Sequence, residues 1–482
     1  MRRYVVAICA ALLVVGASDT VAGQTVAGQS VEIGVASVDV TPLVGSRLSG
    51  YFYERFSTAV HDSLQAKAIV FRQGEQQFAW VFCDLVGVPS TLSSAVRDAA
   101  AAQTGIARQN IFIAATHCHT GPLYFGPLRD YFHAQAIRRT GGDEHETIDY
   151  VAELTVKLTE LIVAAAAEAK PTELAIAVAA QPGLSFNRRY FLKDGSVATN
   201  PGKRNPNIAR PAGPVDVELS LLSFRRDSKP IAGLSLFALH LDTTGGTEFA
   251  ADFPFFVERD LRAAFSPEYQ SIFGIGACGD VNHLDVADGR PQKGHEESER
   301  IGATLAATAV EAMKTSTPIA DPDFAVTAVA TNVPLQEYTD AEVAAARANL
   351  SKVGTREMPM LDQVAAVKII GVADYGAKTL SMEVQAFRLS DSIAAVALPG
   401  ELFAELGLAI KQRSPFATTL VFELCNDYPG YIPTRRAFAE GGYEPANSKS
   451  APGGGEQLVE VAVGLLNELK GEEGASVSVA RQ

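Results

Sequence analysis

Apolar and polar positions along this chain follow two periods that alternate from the N-terminus to the C-terminus. Short apolar runs rich in Val, Ile, Phe and Ala have the length of buried strands, and longer segments repeat apolar residues every three to four positions, as amphipathic helices do. Strands are predicted at residues 31–40, 66–71, 78–85, 111–116, 174–180, 217–224, 234–239, 271–277, 393–398 and 419–424. Helices are predicted at residues 90–104, 149–170, 255–265, 296–314, 340–350, 402–412 and 455–470.

This alternation predicts an α/β fold with a sheet core and flanking helices. The turn Gln73-Gly74-Glu75 joins two apolar runs as a hairpin would, so the sheet is expected to be mixed and not wholly parallel. Length alone would suggest about three domains at ~150 residues each. No Gly/Ser-rich or Pro-rich linker and no internal repeat divides the chain, and one catalytic domain over residues 24–482 is therefore expected.

The N-terminus has the pattern of a signal peptide over residues 1–23. Met1-Arg2-Arg3 supplies positive charge, an apolar stretch over residues 4–15 follows, and Val21-Ala22-Gly23 offers small residues for cleavage. The mature protein is expected to be exported, either to a periplasm or into the medium. An uncleaved N-terminal anchor is the alternative that this pattern leaves open.

Charge and cysteine content narrow the choice of partners. The net charge of −14, without a basic run, argues against nucleic acid and against charge-driven binding to acidic membranes. Four cysteines outside the leader, at or near the ends of apolar runs, are Cys83, Cys118, Cys278 and Cys425. Small buried hydrophobes are favoured over a disulfide framework, although one bridged pair stays open.

Five predicted strands end in polar residues that can carry chemistry. In α/β sheets ligand sites gather beyond the carboxyl ends of strands, so these residues are expected to converge. The residues are His117 with His119, His240, Asp280, Glu401 and Tyr431.

Histidines and a carboxylate at strand ends suit a catalytic zinc site. His117 and His119 alternate along an extended segment and should point to the same side. Together with His240 and Glu401, His117 offers the donors of a zinc site that activates water and polarises a carbonyl. A histidine that closes a buried strand can equally be a hydrogen-bonded core residue, and residue types alone leave both readings open.

Short motifs along most of the mature chain occur in the order found in one enzyme family. They are Val35-Ala-Ser-Val-Asp-Val-Thr-Pro42, Gly50-Tyr51, His61-Asp-Ser-Leu-Gln-Ala-Lys-Ala68, Thr116-His-Cys-His-Thr-Gly-Pro122, Asn187-Arg188, Phe237-Ala-Leu-His240, Gly279-Asp-Val281, Leu398-Pro-Gly-Glu401, residues 426–431, and Gly442-Tyr-Glu444. In these motifs the chain resembles the catalytic N-terminal domain of the neutral/alkaline non-lysosomal ceramidases. The resemblance implies an amidase that uses one zinc ion to cleave a fatty acyl amide into a sphingoid base and a fatty acid.

The resemblance also implies roles for individual residues. Carried over by motif, the zinc ligands are His117, His240, Glu401 and Tyr431. His119 lies beside the metal, where it either hydrogen-bonds the reacting oxygen or passes a proton to the leaving amine. Arg188 stabilises the developing oxyanion, and Tyr443 donates a hydrogen bond near the scissile group.

The chain departs from the family pattern in places that bear on mechanism. The family segment Gly-Asp-Val-Ser-Pro-Asn reads Gly279-Asp-Val-Asn-His-Leu284 here, so Asn282 replaces the active-site serine. A serine nucleophile at that position is excluded, and water activated by the metal remains. The family also carries a C-terminal immunoglobulin-like domain, whereas only the predicted helix at 455–470 follows the last motif.

The sequence therefore predicts an exported zinc-dependent hydrolase of a linear amide C–N bond, resembling neutral ceramidase. A zinc-dependent hydrolase of another acyl amide or of an ester is the first alternative. A catalytically inactive metal-containing relative that binds lipid or glycan is the second. The expected partner is a small acylated molecule, with transient contact to a membrane surface. Asp39, Asp62, Asp84 and Asp252 lie beside the motifs and are expected either to orient site residues or to cap strand ends, and Asp252 in particular is expected to orient a histidine ligand.

Overall fold

The computed structural model describes residues 30–471, so the predicted signal peptide at 1–23 lies outside the described residues. The helices are α1 Ser90–Thr104, α2 Gly126–Thr140, α3 Tyr150–Ala167, α4 Phe253–Ala264, α5 His295–Met313, α6 Asp340–Asn349, α7 Met360–Tyr375, α8 Ala404–Arg413, α9 Arg435–Glu440, α10 Tyr443–Asn447 and α11 Gly454–Lys470. Within residues 30–471, no helix combines the length and apolar character that crossing a membrane requires.

Strands occupy much of the remaining described chain. They are β1 Val31–Asp39, β2 Ala59–Val60, β3 Gln65–Gln73, β4 Gln76–Cys83, β5 Ile111–Ala115, β6 Lys170–Pro171, β7 Glu173–Ala180, β8 Phe186–Asn187, β9 Arg189–Leu192, β10 Val197–Thr199, β11 Ile208–Pro211, β12 Glu218–Arg226, β13 Lys229–Phe237, β14 Glu248–Phe249, β15 Gln270–Ile275, β16 Val281–Asn282, β17 Thr317–Pro318, β18 Pro322–Pro334, β19 Thr379–Ser390, β20 Ile393–Ala397, β21 Glu401–Leu402, β22 Thr418–Phe422 and β23 Tyr431–Ile432.

Three larger sheets form the frame, with strand orders β5-β4-β3-β1-β6, β15-β13-β12-β7-β17 and β18-β19-β20-β22. The predicted hairpin is the antiparallel pair β3–β4, and the mixed character is confirmed. Each sheet contains one parallel pair, namely β4–β5, β13–β15 and β20–β22. Parallel neighbours send their carboxyl ends to the same edge, and the chain segments that leave these pairs carry the candidate site residues.

An aromatic core lies where the three sheets meet. The Trp80 ring is fully buried and lies 4.7 Å from the Phe71 ring, 5.6 Å from those of Phe112 and Phe387, and 5.5 Å from that of Phe422, measured between centroids. These contacts join the first sheet to the third and bury large aromatic surfaces in one place. The sheets are thereby held in a fixed relation, which fixes the strand ends that form the site.

Helices cover the outer faces of the sheets, as the alternating pattern predicted. Helices α1 and α3 pack on the first sheet, α4 and α5 on the second, and α8 and α11 on the third. Helix α1 ends as predicted, because Gly105 takes a left-handed φ of 76° and its N–H bonds the Ala101 carbonyl. Helices α2 and α7 were not predicted, since their apolar positions do not form a clear stripe.

Candidate active site

The segment after β5 brings two imidazoles together through a turn. The strand ends at Ala115, and His117 takes a left-handed φ of 68°, a conformation that side chains rarely adopt. The turn is held because the Thr116 N–H bonds the Cys83 carbonyl at 2.8 Å and the Cys118 N–H bonds the Leu85 carbonyl at 3.0 Å. The Nε2 atoms of His117 and His119 lie 3.2 Å apart. The two rings meet as predicted, although a turn, and not an extended strand, brings them together.

Two residues that follow strands of the other two sheets complete the cluster. They are His240, after β13, and Glu401, after β20. The His117 Nε2 atom lies 3.0 Å from His240 Nε2 and 3.3 Å from Glu401 Oε2, and His240 Nε2 lies 3.7 Å from the same oxygen. His117, His240 and Glu401 are buried, with at most 2% of each residue exposed. The predicted convergence of strand ends is therefore observed for His117, His240 and Glu401, and His119 lies within the same cluster.

Backbone carbonyls orient the two buried histidines. The Nδ1 atom of His117 lies 2.7 Å from the Val86 carbonyl, and that of His240 lies 3.3 Å from the Cys278 carbonyl. A carbonyl accepts only from an N–H, so each ring carries its proton on Nδ1 and presents a lone pair at Nε2. Both lone pairs face the centre of the cluster.

The prediction that Asp252 orients a histidine is wrong. Its carboxylate accepts the N–H groups of Thr243 and Thr244 at 2.8 and 3.0 Å, the N–H of Phe253 at 2.7 Å and the Ser298 hydroxyl at 2.8 Å. Asp252 therefore caps α4 and shapes the turn after His240, and a sequence cannot distinguish this role from that of a histidine partner.

Burial sets the protonation states at the cluster. It lowers the pKa of His119 to about 3, with help from His117, and lowers the pKa of His240 well below its usual value. Burial acts to raise the pKa of Glu401, but His117, Arg188 and Tyr428 outweigh it and the pKa is lowered. The ionised carboxylate of Glu401 beside the neutral imidazoles of His119 and His240 is a state that can bind a divalent metal.

The donor set fits a zinc ion. Tetrahedral zinc bonds of about 2.0–2.2 Å separate neighbouring ligand atoms by about 3.3–3.6 Å, close to the spacing of the Nε2 and Oε2 atoms here. The Tyr428 hydroxyl donates to Glu401 Oε1 at 2.8 Å, whereas the buried Oε2 atom has no hydrogen-bond partner among the described residues. A buried carboxylate oxygen without a donor is costly, and a cation at this point would satisfy it.

Tyr428 is a site residue that sequence reasoning missed. It lies inside the motif at residues 426–431, but the motif does not predict a role for it. Residue spacing does not show that its hydroxyl contacts a carboxylate from another strand. Its hydroxyl holds the Glu401 side chain in place.

Tyr431 lies beside Glu401, because β21 and β23 pair in parallel with these two residues opposite each other. Its hydroxyl accepts from Arg188 Nη2 at 3.0 Å, and its ring lies 5.6 Å from that of Tyr443. Burial raises the pKa of Tyr431 well above its usual value, while the Arg188 charge opposes this. Tyr431 and Tyr443 therefore border the cluster.

Arg188 is buried. Its Nε donates to Glu444 Oε1 at 2.8 Å and its Nη2 to the Gly279 carbonyl at 2.8 Å. Glu444, which is fully buried, also accepts the Thr199 hydroxyl at 2.9 Å. These contacts hold a permanent cation against Tyr431.

The segment in which the chain departs from the family pattern serves the local structure. Asn282 donates to Asn200 Oδ1 at 3.1 Å, and its own Oδ1 accepts the Leu284 N–H at 3.1 Å. His283 Nδ1 lies 3.0 Å from Asp242 Oδ1. Burial acts to raise the pKa of Asp242, but His283 outweighs it and lowers the pKa to about 2.

Asp280 also has a structural role. Its Oδ1 accepts the Ala404 N–H at 2.8 Å and its Oδ2 the Asn187 side chain at 2.7 Å, and burial raises its pKa to about 6.

The predicted disulfide alternative is not found among residues 30–471, where the four cysteines are free and buried. This confirms the prediction that the four cysteines are small, buried hydrophobic residues.

A second cluster of metal-binding residue types lies apart from the strand ends. His133, Asp143 and Glu146 come close together, but arginines already pair with both acids. Arg47 Nη1 lies 2.7 Å from Asp143, and Arg129 Nε lies 3.1 Å from Glu146. These guanidinium groups supply the positive charge that a cation would bring.

Comparison with known proteins agrees with the motifs. Residues 31–248 match the family described as neutral/alkaline non-lysosomal ceramidase, N-terminal, which confirms the predicted resemblance over that segment. The crystal structure of neutral ceramidase from Pseudomonas aeruginosa is similar with a TM-score of 0.69 at 17% identity, covering 94% of this chain and 77% of that one. A ceramidase complexed with C2 is similar with a TM-score of 0.68 at 15% identity and the same coverage. No functionally curated protein sequence matches. The fold is that of the neutral ceramidases, and family and fold together support a ceramidase-like hydrolase.

Proposed function

We propose that this chain, whose residues 31–248 match the neutral/alkaline ceramidases, is a zinc-dependent hydrolase of N-acyl amides. The two solved structures compared above share its fold and are ceramidases, and a lipid amide is the substrate class that this likeness favours. His117, His240, Glu401 and Tyr431 are the proposed ligands.

One observation carries the proposal. The Nε2 lone pairs of buried His117 and His240 and the Oε2 atom of Glu401 face one point at mutual distances of 3.0–3.7 Å, and that oxygen has no hydrogen-bond partner among the described residues. The three residues follow β5, β13 and β20, which belong to three different sheets. A merely structural cluster would pair the carboxylate with N–H donors, because an unsatisfied buried oxygen destabilises the fold. When bound there, zinc supplies a Lewis acid that activates water and polarises the amide carbonyl.

The remaining polar side chains are placed for the proton and charge changes of amide hydrolysis. His119 is neutral and less deeply buried than His117, so its Nε2 can take a proton from the attacking water and deliver it to the leaving nitrogen. Arg188, fixed by Glu444 and the Gly279 carbonyl, stabilises the negative charge that develops on the carbonyl oxygen. Tyr443 donates a hydrogen bond from the same side.

Asn282 does not act as a nucleophile in this scheme. An amide side chain cannot form the acyl intermediate that a serine could, and the Asn282 side chain already holds the chain at Asn200 and Leu284. The attacking group is therefore water, and His119 is the residue placed to remove its proton.

The experiment is a comparison of matched substrates by product analysis. Purified protein is incubated with N-acyl amides and the corresponding acyl esters of the same chain length, with and without a chelator, and the released acid and amine are quantified. Chelator-sensitive release of amine from the amides supports the proposal. Hydrolysis of esters alone would show that the bond was assigned wrongly, and no hydrolysis of any substrate by zinc-loaded protein would favour a non-catalytic binding protein.

Export and membrane contact belong to the same proposal. The leader pattern over residues 1–23 supports export to a periplasm or into the medium. A lipid amide would be drawn from a membrane surface, and transient contact with that surface is proposed for this reason. Comparing the N-terminus of the protein isolated from the exporting host with the encoded Met1 tests the cleavage.

A further inference from the structure

A carboxylate that the proposed reaction does not use lies beside the histidine cluster. Asp242 follows His240 by two residues, in the turn after β13. The His119 N–H bonds the carbonyl of the preceding residue, Leu241, at 3.1 Å, so the segment that carries Asp242 runs alongside His119.

His283 holds Asp242 in position. The His283 Nε2 atom donates to the Gln292 carbonyl at 2.8 Å, and its Nδ1 atom lies 3.0 Å from Asp242 Oδ1. Gln292 is itself fixed, since its Oε1 accepts the Asp285 N–H at 2.7 Å. The imidazole is therefore rigid, and it engages only one of the two Asp242 oxygens.

The other acidic side chains around the site already contact protein groups. Glu401 faces the histidines and Tyr428, Glu444 pairs with Arg188, and Asp252 and Asp280 accept backbone N–H groups. The Asp242 side chain, by contrast, keeps 20% of its surface exposed while His283 keeps 3%. The Oδ2 atom of Asp242 remains for a ligand.

We infer that Asp242 binds a hydrogen-bond donor, a hydroxyl or an ammonium group, on the amine portion of the substrate. This inference rests on the proposed function, in which His119 passes a proton to the leaving nitrogen. The backbone bond between His119 and Leu241 sets Asp242 next to the residue that protonates the leaving nitrogen, and therefore on the amine side of the scissile bond. An amine portion without a donor would remove water from the carboxylate without replacing the lost hydrogen bonds, so such substrates are disfavoured.

The test uses three amides that share one acyl chain and differ only in the amine. N-acyl ethanolamine carries a hydroxyl, N-acyl ethylenediamine carries an ammonium, and N-acyl propylamine carries neither. Wild-type enzyme is expected to prefer at least one of the donor-bearing amides over the propylamide by about tenfold to a hundredfold in kcat/KM. The arm that shows the preference identifies the donor.

Variants connect the preference to the carboxylate. In Asp242→Ala the ratio of kcat/KM values falls towards one, and the ratio cancels any general loss of activity. Asp242→Asn, which keeps an acceptor, retains a preference for the hydroxyl and loses one for the ammonium, and it serves if Asp242→Ala does not fold. The matched control is Asp260→Ala, an acid on the surface of α4 that pairs with Arg259 and should leave the ratio unchanged.

Equal kcat/KM values for the three amides in wild-type enzyme would overturn the inference while leaving the proposed function intact. The same preference in Asp242→Ala as in wild type would also overturn it. If zinc-loaded wild type hydrolyses none of the amides, the proposed function fails, and this inference fails with it.

Discussion

Asp84 gives a sharp test of the electrostatic account of the strand ends. It directly follows β4, and its Oδ2 accepts the Gln65 N–H at 2.9 Å while its Oδ1 accepts the Thr116 hydroxyl at 3.2 Å. Burial outweighs these contacts and the charge of Lys67, and raises the pKa of Asp84 from 3.8 to about 7. The folded protein therefore holds a proton on Asp84 at pH values where the unfolded chain has released it.

The sign of the pH dependence follows from linkage. The native state binds the Asp84 proton more tightly, so its contribution to stability is complete below pH 4 and is lost as the pH rises to about 7. The difference between the folded and unfolded pKa values corresponds to about 4 kcal/mol in the free energy of unfolding. Asp84 borders a cavity of about 670 Å³. Water there would reduce the effect, and about 2–4 kcal/mol is expected.

Asp84→Asn removes the ionisation and keeps the shape. The amide oxygen can accept from Gln65, and the amide nitrogen can donate to the Thr116 hydroxyl. We expect the variant to match wild type at pH 4 and to exceed its free energy of unfolding by about 2–4 kcal/mol at pH 8. Urea unfolding at pH 4, 6 and 8, at equal metal loading, measures this difference.

Asp39→Asn is a control of opposite sign. Burial acts to raise the pKa of Asp39, but hydrogen bonds from Thr41 outweigh it and the pKa is lowered. Asp39→Asn should therefore lose stability relative to wild type at neutral pH, and the loss should shrink as the pH falls. If Asp84→Asn is no more stable relative to wild type at pH 8 than at pH 4, the reasoning about Asp84 is refuted.

Two further predictions concern contacts that hold the site. Glu444→Gln leaves the buried Arg188 without its carboxylate and should lower the free energy of unfolding by about 3 kcal/mol, whereas Glu405→Gln, which breaks an exposed pair with an arginine, should cost under about 1 kcal/mol. Equal losses in denaturant unfolding would contradict this. Gly279→Ala places a Cβ against the backbone carbonyl group of Glu401, 2.9 Å from the carbonyl carbon, and so displaces a proposed ligand without removing a donor. The variant should bind zinc at least tenfold more weakly, as measured by titration. Gly142→Ala, which has no neighbour within 4 Å, should retain wild-type affinity.

Much of the fold could be predicted from local patterns. Helix α1 ends at Gly105 and the β3–β4 hairpin turns at Gly74, because these signals depend on neighbouring residues alone. The division into three larger sheets could not be predicted, since buried strands read alike and tertiary packing chooses their partners. Strands β18 and β19 pair across two intervening helices, which no local pattern records.

The candidate site shows the same division. His117, His240 and Glu401 were found because parallel strands end at one edge, and the structure brings them within 3.7 Å of a neighbour. The contact of Tyr428 with Glu401 depends on how a loop folds back over another strand end, and no spacing in the sequence predicts it. For Asp252 the sequence-based prediction was wrong. Its position beside a motif suggested that it orients a histidine, but its carboxylate caps helix α4.

The most direct test of the central claim is the zinc content of purified protein measured together with amide hydrolysis, in wild type, His117→Ala and His119→Ala. The account predicts stoichiometric zinc and chelator-sensitive, zinc-restorable activity in wild type. It predicts loss of both zinc and activity in His117→Ala, and retained zinc with mainly reduced turnover in His119→Ala. Full activity in metal-free wild type would contradict the metal site, and zinc lost in His119→Ala but kept in His117→Ala would reverse the two roles.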